Sequence, residues 1–239
     1  MRFYMHLRRK DDDWMEWEII GTIVPAVACS LENEESMYTQ TGSMMMYSGD
    51  INYNTNLKGG IKGIISRKMT GESAFVTNYS AGRMGGNVTF ATTVPGTIKC
   101  LYITPDKSII CQKTAFLCAE QNVDLSVVFT KRLRAGLLGG EGFILQKLSG
   151  EGNAFLEIAG DVLSYELQQG DILRVNPGNI VAFADTVDFD IEFIKDLSTI
   201  AFGKKGMFIS TLKGPGLVVL QTQNRKQLSS SIINDNSEQ

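Results

Sequence analysis

Ser210-Thr-Leu-Lys213 carries the serine–lysine spacing of an acyl-transfer enzyme, in which an amine withdraws the proton of a hydroxyl nucleophile. That chemistry needs the two side chains one helical turn apart. On a strand, residues i and i+3 point to opposite faces. The flanking residues run into Gly214-Pro-Gly216, a turn signal after a short apolar run, so a strand is predicted and the pair is expected to stay separated. The chain has one histidine, His6. It lies in the first 14 residues, outside the elements that recur, and this removes the serine–histidine–aspartate, cysteine–histidine and two-histidine zinc arrangements. An enzyme with a cupin-like cavity is the least favoured reading, because the histidines that would hold its metal are absent.

Asp188, Asp190 and Glu192 share one face of a predicted strand and could offer oxygens to a hard cation. A calcium site wants ligands converging from loops with backbone carbonyls, so the stripe reads as a solvated outer face. Met44-Met-Met46 resembles a soft-metal or sticky patch, but it aligns with Phe116-Leu-Cys118 and Ile180-Val-Ala182 and is expected in the core. The four cysteines (Cys29, Cys100, Cys111, Cys118) form no C-x-x-C pair. Alternation puts Cys111 and Cys118 among buried strand residues, as small hydrophobes in a reducing cytoplasm. The sequons at Asn78 and Asn87 are then without consequence. No catalytic residue, metal or cofactor is expected.

Basic residues precede a glycine-rich turn three times: Lys58 and Lys62; Lys131, Arg132 and Arg134; Lys204 and Lys205. Together they are the candidate anion-binding residues, suited to RNA, a nucleotide or a headgroup. The opposing reading is solubilising charge on exposed turns. Aromatic residues, which single-stranded nucleic acid binding uses for stacking, are not interleaved with them. Gly136-Leu-Leu-Gly-Gly-Glu-Gly142 looks like a phosphate loop but lacks the G-x-x-x-x-G-K-[ST] order. Its counterparts Lys58-Gly-Gly-Ile-Lys-Gly63 and Gly203-Lys-Lys-Gly206 make it a structural turn.

These residues sit in elements that recur. Ser36–Asn54, Ser108–Ser126 and Ile172–Asp190 are of equal length and align without a gap. A second block follows in the same order: Gly63–Gly71, Gly142–Gly150 and Gly206–Gly214. A weaker marker opens each copy at Gly21, Gly96 and Gly160. Self-similarity of this kind marks copies of one supersecondary unit. The copies are read as about 19–89, 94–157 and 158–222, forming one domain over 15–222, with an extension at 1–14 and a polar tail at 223–239. Within each copy the apolar period is two; in Val187-Asp-Phe-Asp-Ile-Glu-Phe193 every odd position is apolar. Pro95-Gly96, Pro177-Gly178 and Pro215-Gly216 punctuate the short runs at turn positions. The one weak helical candidate is 196–202. The prediction is an all-β chain of short antiparallel strands. Trp14 and Trp17 flank the first strand, as a packing staple or an interface.

Net charge is −3 and the pI about 5.3, with 43% hydrophobic residues. That supplies a sizeable core and no general attraction to nucleic acid or anionic membrane. No apolar run approaches the roughly 18 residues of a transmembrane helix, and no signal pattern opens the chain.

Glu16-Trp-Glu-Ile-Ile-Gly21, the block ending Gly42-Ser-Met-Met-Met46, Gly139–Gly150 and Leu212-Lys-Gly-Pro-Gly-Leu-Val-Val-Leu-Gln221 resemble the altered inheritance of mitochondria, or mitochondrial biogenesis, family. The resemblance spans about residues 15–222. It implies a short double-stranded β-helix or β-sandwich like that of the tryptophan RNA-binding attenuation protein, repeated three times about a pseudo-threefold axis. Many relatives carry a histidine where this chain has Asn179, and often an aromatic residue where it has Val219. The family brings no catalytic residue to carry over. The expectation is a non-enzymatic structural or interaction protein of the cytoplasm, with a protein partner or self-association. The alternative is a binding module for RNA or a small anionic ligand.

Overall fold

In the computed structural model the described residues are 15–40, 42–57, 75–128, 143–194, 207–225 and 228. They are all-β. Seventeen strands are joined by turns, with two 3-10 turns at Lys113–Ala115 and Pro177–Asn179. Near the end of the described residues the Leu228 N–H donates to the Asn224 carbonyl at 3.0 Å. The helical candidate at 196–202 lies outside the described residues.

The chain falls into two compact units, the first built from Met1–Pro105, Phe116–Ser126 and Leu148–Ile158. Its strands are β1 (Glu16–Ile20), β2 (Ala26–Leu31), β3 (Ser36–Gln40), β4 (Met44–Leu57), β5 (Phe75–Ala91), β6 (Gly96–Ile103), β8 (Phe116–Glu120) and β11 (Gly152–Ala159). They form one sheet in the order β1-β2-β5-β3-β8-β11-β6, with β4 also on β5. β5 is the spine. Its first half pairs with β3 (Ser36↔Ser80 to Gln40↔Val76) and its second with β2 (Ala26↔Ala91 to Leu31↔Gly86). β4 runs along its other edge, with register shifts at Met44/Met46 and Gly49/Ile51.

Alternation along these strands turns one face inward. Val27, Cys29 and Leu31 of β2, Val88 and Phe90 of β5, and Cys118 of β8 are almost wholly buried in one apolar cluster. Trp17 packs edge-on against Phe155 with ring centroids 5.1 Å apart, so this tryptophan is a packing residue. Tyr38 is fully buried, and its hydroxyl donates to the Val123 carbonyl at 2.8 Å.

The second unit comprises Asp106–Ala115, Val127–Lys147 and Ala159–Gln239. Its strands are β7 (Ile109–Gln112), β12 (Val162–Leu167), β13 (Ile172–Val175), β14 (Ile180–Ala184), β15 (Asp188–Ile194), β16 (Met207–Lys213) and β17 (Gly216–Gln221). β9 (Val123–Val128) and β10 (Leu145–Gly150) each contribute residues to both units. One sheet runs β12-β17-β14-β7-β10-β9 and a smaller one β13-β16-β15. A second cluster of buried residues, including Leu145, Phe183, Leu212 and Val218, closes this core.

One pairing pattern recurs. β5 lies between β2 and β4, β11 between β6 and β8, and β17 between β12 and β14. In each trio the strand latest in the chain lies between two earlier ones.

Candidate functional site

Lys58, Lys62, Lys131, Arg132, Arg134, Lys204 and Lys205 all lie outside the described residues, as do the glycine turns they precede. The remaining candidates separate. Ser210 is fully buried on β16 while Lys213, on the opposite face, reaches toward Asp188 at 3.9 Å. The serine hydroxyl and the lysine amine therefore do not meet. In the acidic stripe, Asp188 and Glu192 are exposed and Asp190 is half-buried. No group of three or more ligating side chains that could hold a metal occurs among the described residues.

The methionine run departs from expectation. Met44 packs against the first core, but Met45 and Met46 are each 52% exposed. Their counterparts Leu117, Cys118, Val181 and Ala182 are fully buried. The reason is local: among the described strands β4 pairs with β5 alone, so part of it stands clear of the core. Next to the methionines, Tyr47, Tyr53 and Tyr79 form a ring cluster with centroids 5.9 to 6.5 Å apart, and Tyr53 is 62% exposed.

All four cysteines carry free thiols. Burial pushes Cys100 and Cys111 up to about 12 and also raises Cys29 and Cys118. Around Cys29, Cys100 and Cys118 neighbouring charge adds to the effect, with the Glu120 carboxylate acting on the first two. Glu120 is itself raised by burial, partly offset by the Asn153 amide that donates to it at 2.5 Å. A thiolate is the reactive species, so none of these sulfurs is poised as a nucleophile.

Two features of the second unit offer surfaces for recognition. The first is β12, an edge strand paired only with β17 among the described strands. Its residues 162–166 are all exposed, including Val162, Leu163 and Tyr165. Side chains on both faces of this strand therefore reach solvent, and one backbone edge pairs with no other described strand.

The second is a cavity of about 380 Å³. Its depth is set by Leu145, Phe183 and Val187, all of them buried in the second core. Ile110, Val128 and Phe189 are half-buried and form its sides. Phe189 is stacked on Phe183 (5.3 Å) and on Phe143 (5.9 Å), which fixes its ring. Exposed Asp185, Thr186 and Asp188 stand at the opening. The turn bearing them is held by three bonds. Asp185 N–H donates to the Ser108 carbonyl (3.1 Å), Val187 N–H to that of Ala184 (3.0 Å), and the Thr186 hydroxyl to that of Pro215 (2.8 Å). Sequence reasoning singled out Asp188 but not the cavity. Its walls come from four separated stretches of chain, and only pairing registers bring those together.

Residues 17–223 match a family model described as mitochondrial biogenesis AIM24. An uncharacterised protein of Streptococcus pyogenes serotype M6 is 26% identical over 216 residues, covering 87% of this chain and 85% of its own. The X-ray structure of a Streptococcus pyogenes protein superposes with a TM-score of 0.73 at 24% identity, over 92% of this chain and 99% of that one. This last likeness is one of fold.

Proposed function

Starting from the fact that this chain belongs to the mitochondrial biogenesis AIM24 family, we propose that it is a non-enzymatic interaction protein of the cytoplasm that self-associates. One observation carries this: β12 is an edge strand with Val162, Leu163 and Tyr165 exposed. An open, apolar strand edge is a template for pairing with another chain. The non-enzymatic reading is supported by the separation of Ser210 from Lys213 and by the protonated, buried thiols. Free thiols fit a reducing compartment.

The family's triplicated architecture is part of the same proposal. Three units like the tryptophan RNA-binding attenuation protein about a pseudo-threefold axis would account for the recurring trios β2-β5-β4, β6-β11-β8 and β12-β17-β14. Anion binding through the seven basic residues remains the second reading. Its support is their recurrence before each glycine turn. Loss of binding to a single-stranded RNA pool on replacing Lys131, Arg132 and Arg134 with serine would favour it.

The test of self-association is the solution mass of the whole chain by light scattering, beside a Leu163→Lys, Tyr165→Lys variant. The expected result is an oligomer that the double variant dissociates without loss of its β-sheet circular dichroism. A monomer at every concentration, or an oligomer indifferent to both lysines, overturns it.

A further inference from the structure

We propose that the cavity of the second unit is a binding site for a small organic cation, a primary amine carried on an apolar body of about one ring. The volume, about 380 Å³, lies at the lower end of the range that small-molecule sites occupy. Such sites combine apolar walls with a few polar groups that orient the ligand. Here the apolar part is deep and the polar part is confined to the opening, so a ligand must enter with its apolar end first. Phe183 and Val187 are almost wholly buried, and the Phe143–Phe189–Phe183 stack holds the aromatic wall without a ligand. A preformed pocket avoids the ordering cost that weakens binding to a mobile one.

Charge then selects the polar end. Among the described residues lining the cavity, the ionisable ones are Asp185 and Asp188. Two lysines approach these carboxylates from elsewhere. Lys147 pairs with Asp185 at 3.0 Å, and Lys213 stands 3.9 Å from Asp188, with both of the latter side chains more than half exposed. Asp188 is thus only loosely engaged, and an ammonium leaving the apolar cavity meets it at the opening. A carboxylate ligand in the same pose would face the like charge of Asp188. The Thr186 hydroxyl spends its proton on the Pro215 carbonyl and presents oxygen lone pairs, which again suit a donor.

Three compounds of matched shape test this on the whole chain by titration calorimetry: 2-phenylethylamine, 2-phenylethanol and phenylacetate. The amine is expected to bind up to about fivefold tighter than the alcohol, with the acid weakest, as one exposed ion pair allows. In an Asp185→Asn, Asp188→Asn variant, amine and alcohol should bind equally, within about twofold. Val128→Trp, at the wall, should abolish binding of all three while thermal unfolding shows the fold intact. Equal affinity for amine and alcohol in the wild type overturns the proposal. So does absence of amine binding, or a preference for the amine that survives in the double variant. Because β12 plays no part in these titrations, their failure leaves the self-association reading standing, and the reverse holds too.

Discussion

Asn179 donates its side-chain amide to the main-chain carbonyl of Gln221 across 2.9 Å, and Gln221 donates from its own amide to the carbonyl of Gly178, also across 2.9 Å. The Gln221 side-chain oxygen then accepts from the Ala159 N–H at 3.0 Å. Two side chains therefore lock the 3-10 turn at Pro177–Asn179 to the end of β17. Asn179 is thus a donor with a structural task.

Asn179→Ala is expected to lower stability by about 1–2 kcal/mol, because the carbonyl it serves belongs to a buried residue. In a chain of this size that is a fall of about 2–8 °C in Tm. Gln221→Ala removes two of the three bonds and should cost more. Asn179→His, whose ring N–H can also donate, should lose less than the alanine variant. Thermal unfolding of the three variants ranks them, and an alanine variant as stable as wild type would refute the lock.

Gly49 and Gly86 are register partners on β4 and β5. Gly49 has φ +82°, and a Cβ there would lie 2.8 Å from the Gly85 oxygen and the Gly86 Cα. Gly49→Ala should cost about 1–3 kcal/mol, combining left-handed strain with a backbone clash. Gly170 shares the positive φ (+92°), but no atom lies within 4 Å of its Cβ direction. Gly170→Ala should therefore cost no more than about 1 kcal/mol. Urea midpoints distinguish clash from strain: equal losses at the two sites would show that crowding at Gly49 contributes nothing.

The thiols set an alkaline limit on stability. Cys111 moves from 9.0 to about 12 through burial. A raised folded value means the fold favours the protonated form, so this contribution is whole below about pH 9 and drains as pH climbs toward 12. The loss amounts to about 1.4 kcal/mol per pH unit for each such thiol. Cys111→Ala should flatten the stability curve by one thiol's slope above pH 9. Urea unfolding at a series of pH values measures this, and identical slopes in the two proteins would contradict it.

Native thiol chemistry gives a fourth expectation. At pH 8 an aromatic disulfide reagent should react with the folded protein far more slowly than with the urea-unfolded chain, where all four cysteines are accessible. Cys100, the one cysteine that is not fully buried, should lead whatever reaction occurs. A rapid native burst would mean that a thiolate forms where burial opposes it.

Strand identity and turn positions were legible in the sequence because period two and the proline–glycine pairs are local signals. What covers a face is not local. Along Val187–Phe193 the odd positions share a side, yet only Val187 is buried; Phe189 and Ile191 are half-buried and Phe193 is exposed. The β15–β16 ribbon outruns its core. Met45 and Met46 mislead for the same reason, since alignment with Leu117 and Val181 says where they sit in a strand but not that β4 has one neighbour. The cavity was beyond reach because Ile110, Val128, Leu145 and Phe183 carry no shared motif.

The first unit is assembled from three stretches of chain, the last of them Leu148–Ile158. β11, which supplies that stretch, joins β8 to β6 within the sheet. During synthesis the amino-terminal strands must therefore wait, with that junction unfilled, until well over half the polypeptide has left the ribosome. The same threading means that no single cut releases either unit whole. Truncation near Pro105 should yield aggregating fragments rather than a smaller folded protein, and selection on the amino-terminal half is bound to the presence of the middle of the chain.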